Sequence, residues 1–149
     1  MSESLAPRPS AFYPIHVPSP VEAEVEYRIG HLSAHAVYEI FGSVIEAWLN
    51  PLGRDPQSGI IRLVAESACR FHNEIRPSRE LITGLRVDRV GRSSVTYTLA
   101  IFANGGEDPG SLEPLATCRW VDVYVTRAPR RPVGIPAQLR SRLLTARLQ

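Results

Sequence analysis

The sequence predicts an α+β domain in which one long helix packs on a single curved antiparallel sheet of about five strands. Three observations carry this. The apolar period is two along several segments and changes to three and four over only one long stretch. The order is a strand, that helix, and then a succession of strand-like runs. The chain has 149 residues, enough for one domain around one sizeable core.

Residues 1–20 hold five of the 13 prolines and no period, which predicts an extended N-terminal arm ahead of a domain over 21–149. From Val21 to Ile29 apolar and acidic residues alternate: Val21, Ala23, Val25, Tyr27 and Ile29 against Glu22, Glu24, Glu26 and Arg28, a half-buried strand. Val37, Ile40, Phe41, Val44, Ile45 and Trp48 then form an apolar stripe along one helix face. Ser33 suits the N-cap, and Asn50-Pro51-Leu52-Gly53 stops the helix. In residues 60–71, Ile61, Leu63, Ala65, Ser67, Cys69 and Phe71 stand in step, with Arg62, Glu66 and Arg70 opposite. Residues 81–90 and 94–102 are two strands joined by a tight turn at Gly91-Arg92. Residues 104–114 read as a loop, 115–126 as the last strand, and 136–148 as a short terminal helix. A sheet with one covering helix leaves surface and edges exposed, which predicts a homodimer or a homotetramer.

Several function classes are excluded by composition. A net charge of +2 is too small to argue for a nucleic-acid partner. No apolar run reaches the length of a membrane helix, and the N-terminus lacks the pattern of a secretory signal, so a cytoplasmic protein is expected. Cys69 and Cys118 fall in strand-like runs and read as reduced core thiols. No metal-ligand spacing, Gly-rich phosphate loop or Gly-x-Ser-x-Gly elbow is present. All 17 basic residues are Arg, whose planar forks suit phosphate oxygens.

The junction between first strand and helix reads Gly30-His31-Leu32-Ser33-Ala34-His35-Ala36-Val37-Tyr38. The run from Leu85 to Phe102 has a Gly-x-Ser-Ser turn, and the chain ends in a basic, Pro-bearing exit followed by a short helix. In this order the motifs resemble the hotdog-fold acyl-CoA thioesterase family, of the 4-hydroxybenzoyl-CoA thioesterase type, over residues 21–145. The resemblance implies a hotdog fold and hydrolysis of acyl-CoA or acyl-carrier-protein thioesters. It implies no cofactor besides the coenzyme A of the substrate. Many members carry an Asp just before the junction as nucleophile or general base. Here Val25-Glu26-Tyr27-Arg28-Ile29-Gly30 has none, and Glu26 is the only carboxylate nearby.

Thioester hydrolysis needs a base for water and donors for the carbonyl oxygen. Backbone amides at residues 34–36, at the start of the helix capped by Ser33, suit the second need. They make Ser33, Ala34 and Ala36 candidate substrate-binding residues. His35, His31 and Glu26 are the candidates for the first. Against these stand plainer readings: a loop His31, a His35 at a dimer seam, and a Glu26 on a solvated face with Glu22 and Glu24. Glu39 and Glu46 lie off the apolar stripe and read as solvent-facing, and Glu66 as part of a surface ion-pair ladder with Arg62 and Arg70. His72, Asn73 and Glu74 form a polar cluster at a strand end, a loop or a pocket mouth. Arg127, Arg130 and Arg131 either bind the phosphates of coenzyme A or form a solvated basic turn. Two other functions stay open: a hotdog dehydratase or hydratase using His31 with Glu46, and a non-catalytic acyl-CoA-binding protein.

Overall fold

The computed structural model describes residues 5–19, 32–50, 59–76, 80–104 and 110–147. It contains β1 (Ile15–Pro18), α1 (Ala34–Leu49), β2 (Ile60–Phe71), β3 (Leu81–Val90), β4 (Ser94–Ala103), β5 (Ala116–Thr126) and α2 (Ala137–Thr145). The strands form one sheet in the order β1-β3-β4-β5-β2, and every pair is antiparallel. The strand expected over residues 21–29 lies outside the described residues.

The helix α1 buries Ala36, Val37, Phe41, Val44, Ile45, Trp48 and Leu49 against the sheet. The apolar stripe is therefore the packing face, and Phe41 at its centre is fully buried. Facing it are Leu85 and Val87 of β3, Val95, Tyr97, Leu99 and Ile101 of β4, and Cys118, Trp120 and Tyr124 of β5. Those residues alternate along their strands, as a one-face pleat requires.

The N-terminal segment does more than extend. Ile15–Pro18 pairs with β3 at one edge of the sheet. Before it, a 3-10 turn at Ser10–Phe12 is held by Ser10 N–H to the Leu112 carbonyl at 3.0 Å and Ala11 N–H to Gly110 at 3.2 Å. Tyr13 then packs on the sheet face turned away from α1, edge-on to Phe102 with ring centroids 5.7 Å apart. Gly84 permits this approach, since a Cβ there would stand 2.7 Å from Tyr13 Cγ.

The alternation expected for β2 fails at one point. The pairing with β5 slips at Ala65, between Val64 and Glu66. This β-bulge changes which face each half of the strand presents. Ser67, Cys69 and Phe71 stand opposite Trp120, Cys118 and Ala116, while on the other side of the bulge Arg62 stands opposite Tyr124. Arg62 is thus turned toward α1 rather than outward with Glu66 and Arg70. The expected ladder of Glu66 with Arg62 and Arg70 does not form, and Glu66 accepts instead from Arg119 at 2.6 Å.

Candidate functional site

Ser33 caps α1: its hydroxyl accepts the Ala36 N–H at 3.2 Å, and its carbonyl accepts Val37 N–H at 3.2 Å. The Ala36 amide, expected to be open to a substrate, is therefore satisfied by the cap. The amides left to meet a ligand are those of Ala34 and His35. The entry to the helix is fixed by Leu32 N–H, which donates to the Ile75 carbonyl at 2.8 Å. That bond brings the helix start against the residues that follow β2. Between them lies a cleft of about 360 Å³ lined by Leu32, Ala34, Val37, Phe71, His72, Asn73, Glu74 and Ile75. The polar cluster at residues 72–74 is thus a pocket wall.

The environment of His72 sets its tautomer. Thr117 Oγ1 donates to the Leu5 carbonyl at 2.7 Å, so the same hydroxyl must accept from His72 Nε2, 2.9 Å away. Nε2 carries the proton and Nδ1 the lone pair. Partial burial and the nearby Arg70 hold the imidazole below its ordinary pKa, with the Leu5 carbonyl pulling the other way. The group at the cleft is a neutral imidazole with one basic nitrogen.

The other expected site residues disperse. Glu26 and His31 lie outside the described residues, as does the run where the family's Asp would stand. The His35 side chain is 84% exposed and sits 3.2 Å from Glu39 of the same helix, and it is not among the residues that line the cleft. Arg127, Arg130 and Arg131 are exposed on the turn leaving β5, where Arg127 N–H donates to Gly59 and Thr126 N–H to the Arg131 carbonyl. That turn adjoins Ile60, whereas the cleft adjoins Phe71 at the opposite end of β2. Eleven residue steps of about 3.3 Å separate those ends, roughly 36 Å along the strand. Within one chain the basic turn and the cleft do not meet.

The family model described as "Thioesterase-like superfamily" matches residues 24–143. The chain belongs to the thioesterase-like superfamily. Among solved structures, a protein of Pseudomonas aeruginosa strain PAO1 is similar at 31% identity and a TM-score of 0.83, covering 95% of this chain and 97% of that one. A thioesterase from Thermus thermophilus, complexed with coenzyme A and zinc, is similar at 20% identity and a TM-score of 0.69, over 90% of this chain and 94% of that one. A 4-hydroxybenzoyl-CoA thioesterase mutant complexed with 4-hydroxybenzoyl-CoA shares 12% identity at a TM-score of 0.73, over 87% and 97%. No curated protein matches the chain. The fold is the hotdog fold.

This member of the thioesterase-like superfamily also carries a buried polar cluster that periodicity did not reveal. Under the second half of α1, Asp122 is 1% exposed. It accepts from Trp120 Nε1 at 2.8 Å and lies 3.3 Å from Arg62 Nε. Arg62 Nη2 donates to Glu46 of α1. Burial pushes the Asp122 carboxyl up, and Arg62 and the Trp120 indole draw it back. Burial works against the Arg62 charge, and Asp122, with the neighbouring tyrosines and Glu46, outweighs it. The Tyr97 hydroxyl is enclosed nearby without a hydrogen-bond partner among the described residues. Glu46, expected to face solvent, is drawn to this cluster. It stands twelve residues beyond Ala34, about 18 Å along the helix axis, too far to act with a group at the helix start. Among the described residues, no group of three or more His, Cys, Asp or Glu is placed to hold a metal ion, and no helix is long and apolar enough to cross a membrane.

Proposed function

We propose that this protein hydrolyses an acyl thioester of coenzyme A or of an acyl-carrier protein at the cleft between the start of α1 and the end of β2. The observation that carries the reading is one cleft lined both by the start of α1, at Ala34, and by His72. The thioester carbonyl oxygen sits at the Ala34 and His35 amides, where the positive end of the helix favours developing negative charge. His72 Nδ1 takes a proton from water, the oxygen attacks the carbonyl carbon, and collapse of the tetrahedral intermediate breaks the C–S bond. The acid and the free thiol leave. Membership of the thioesterase-like superfamily supports this chemistry.

The active unit is a dimer paired along β2. Among the described residues that strand is an edge of the sheet, and Leu63, Val64 and Phe71 on it are exposed at 38%, 54% and 48%. A bare strand edge with exposed apolar side chains favours pairing with a second copy. Antiparallel two-fold pairing would set the basic turn of one copy beside the cleft of the other, within reach of the coenzyme A phosphates.

The test is a panel of acyl-CoA and acyl-carrier-protein thioesters followed with a thiol reagent. Loss of the base should lower kcat by roughly 10²- to 10⁴-fold in His72→Ala. His35→Ala, His31→Ala and Glu26→Gln should stay within a few-fold of the parent. Full activity in His72→Ala, with a deep loss in one of those three, moves the base to that residue. Binding of acyl-CoA without turnover makes the protein a non-catalytic binder, and hydration of an enoyl thioester makes it a hydratase.

A further inference from the structure

We infer that Cys69 and Cys118 form a dithiol site that a hydroperoxide oxidises to a disulfide bridging β2 and β5. Both cysteines are free thiols, and they are direct partners across the two strands. The backbone shows which kind of partner. On β5, Arg127 N–H donates to Gly59 on the β2 side at 2.7 Å, whereas Tyr124 N–H donates to Ser93 on the β4 side at 2.7 Å. Along a strand the backbone groups alternate between the two neighbours, so the odd-numbered residues of β5 bond to β2 and the even-numbered ones to β4. Cys118 bonds to β4, so Cys69 and Cys118 belong to the class of pairs that exchange no bonds. In that class the Cα atoms are about 4.5 Å apart and the side chains are closest. A disulfide takes Cα separations of about 4.4 to 6.8 Å, so the bridge closes with little movement of the strands.

The two sulfurs differ in access and in acidity. Cys118 is fully buried beneath α1, whereas Cys69 on the edge strand is half-buried. The neighbouring Cys118 thiol favours the Cys69 thiolate and lowers its pKa, against the opposing effect of burial, and the nearby Tyr38 hydroxyl acts in the same direction. The neighbouring Cys69 and burial both push Cys118 up. Cys69 is therefore the sulfur that meets the oxidant, and Cys118 the one that resolves it. The Cys69 thiolate attacks a peroxide oxygen, breaking the O–O bond to give Cys69 sulfenic acid and hydroxide. The Cys118 sulfur then attacks the Cys69 sulfur. The S–S bond forms, the S–O bond breaks, and the departing hydroxide leaves as water with the Cys118 proton. Two thiols and one hydrogen peroxide give one disulfide and two waters. A thiol reductant reverses the change.

The experiment treats the reduced full-length protein with hydrogen peroxide and follows it by thiol titration, intact mass and non-reducing peptide mapping. The expected result is loss of both thiols, an intact mass lower by two hydrogens, and a peptide containing Cys69 linked to one containing Cys118 from the same chain. Dithiothreitol should restore both thiols. Cys118→Ser should stop at a sulfenic acid on Cys69 that a dimedone probe traps. In Cys69→Ser, Cys118 should stay reduced at the same peroxide dose. Wild-type mapping alone decides the matter even where a variant folds poorly. Sulfinic or sulfonic acid on wild-type Cys69 without the linked peptide, a bridge only between chains, or no thiol loss would each overturn the inference.

Discussion

Replacing Asp122 with Ala probes the buried cluster under α1 and has a magnitude that follows from its contacts. The change leaves the Trp120 indole N–H without its 2.8 Å acceptor, and Trp120 is only 9% exposed. An unsatisfied buried donor costs about 1–3 kcal/mol. It also removes one of two carboxylates on Arg62, a side chain 21% exposed. Removing one partner of a buried pair costs about 3–5 kcal/mol when the other charge is stranded. Here Glu46 still accepts from Arg62, which places the total near the low end, about 3 kcal/mol. With a urea m-value of about 1–3 kcal/mol/M, the unfolding midpoint should fall by about 1 M or more. Asp122→Asn keeps an acceptor for the indole and should lose less. Arg62→Met combined with Asp122→Leu should recover much of the loss, because no charge then needs solvation. A loss below about 1 kcal/mol in Asp122→Ala would refute the claim that the cluster is one coupled unit. The pH dependence supplies a second check. Burial raises the Asp122 pKa above its unfolded value of 3.8, so the folded state binds the proton more tightly. The stability this contributes is fully present below 3.8 and is lost as pH rises through the folded pKa, a slope that Asp122→Asn should remove.

Three further outcomes are expected. Ser33→Ala removes the cap of α1 and should cost about 0.5–2 kcal/mol in thermal or urea unfolding, with Ser33→Asp retaining most of it. Gly84→Ala drives a Cβ to within 2.7 Å of the Tyr13 ring, and should cost about 1–3 kcal/mol while speeding proteolysis ahead of β1. The lowered pKa of His72 means the unfolded chain binds its proton first as pH drops, so stability should decline as pH falls from 6.5 toward the folded pKa. Urea midpoints across that interval should fall in the parent and flatten in His72→Gln.

Where local chemistry and packing agreed, the fold was legible. The stripe from Val37 to Trp48 is the buried face of α1, and Ser33 is its cap. The turn at Gly91 closes the β3–β4 pair, with Gly91 N–H donating to the Ser94 carbonyl at 2.8 Å. Ile15–Pro18 was hidden because prolines at both ends signal an irregular arm, whereas an edge strand tolerates proline. The candidate cleft was legible in part, since a change of period locates the helix start and residues 72–74 read as a loop or a pocket mouth. The hydrogen bonding of His72 was not. His72 acquires its tautomer from Thr117 and Leu5, residues 45 and 67 positions away in the chain, and no local pattern records such a meeting. Arg62 was misplaced because alternation assumes an unbroken pleat.

The slip at Ala65 works like an inserted letter in a text read two characters at a time. Everything on one side of it keeps its phase and everything on the other is inverted. Were Ala65 taken into the ladder as an ordinary partner of Asp122, every residue before it would move on by one place. Arg62 would turn to water and Ile61 would come inside, exchanging an ionic floor beneath α1 for an aliphatic one. The charged character of this part of the interior is thus set by one residue left out of the pairing as much as by composition. Homologues that pair this residue should differ from those that leave it out in whether they bury a cation, even where the side chains themselves are the same.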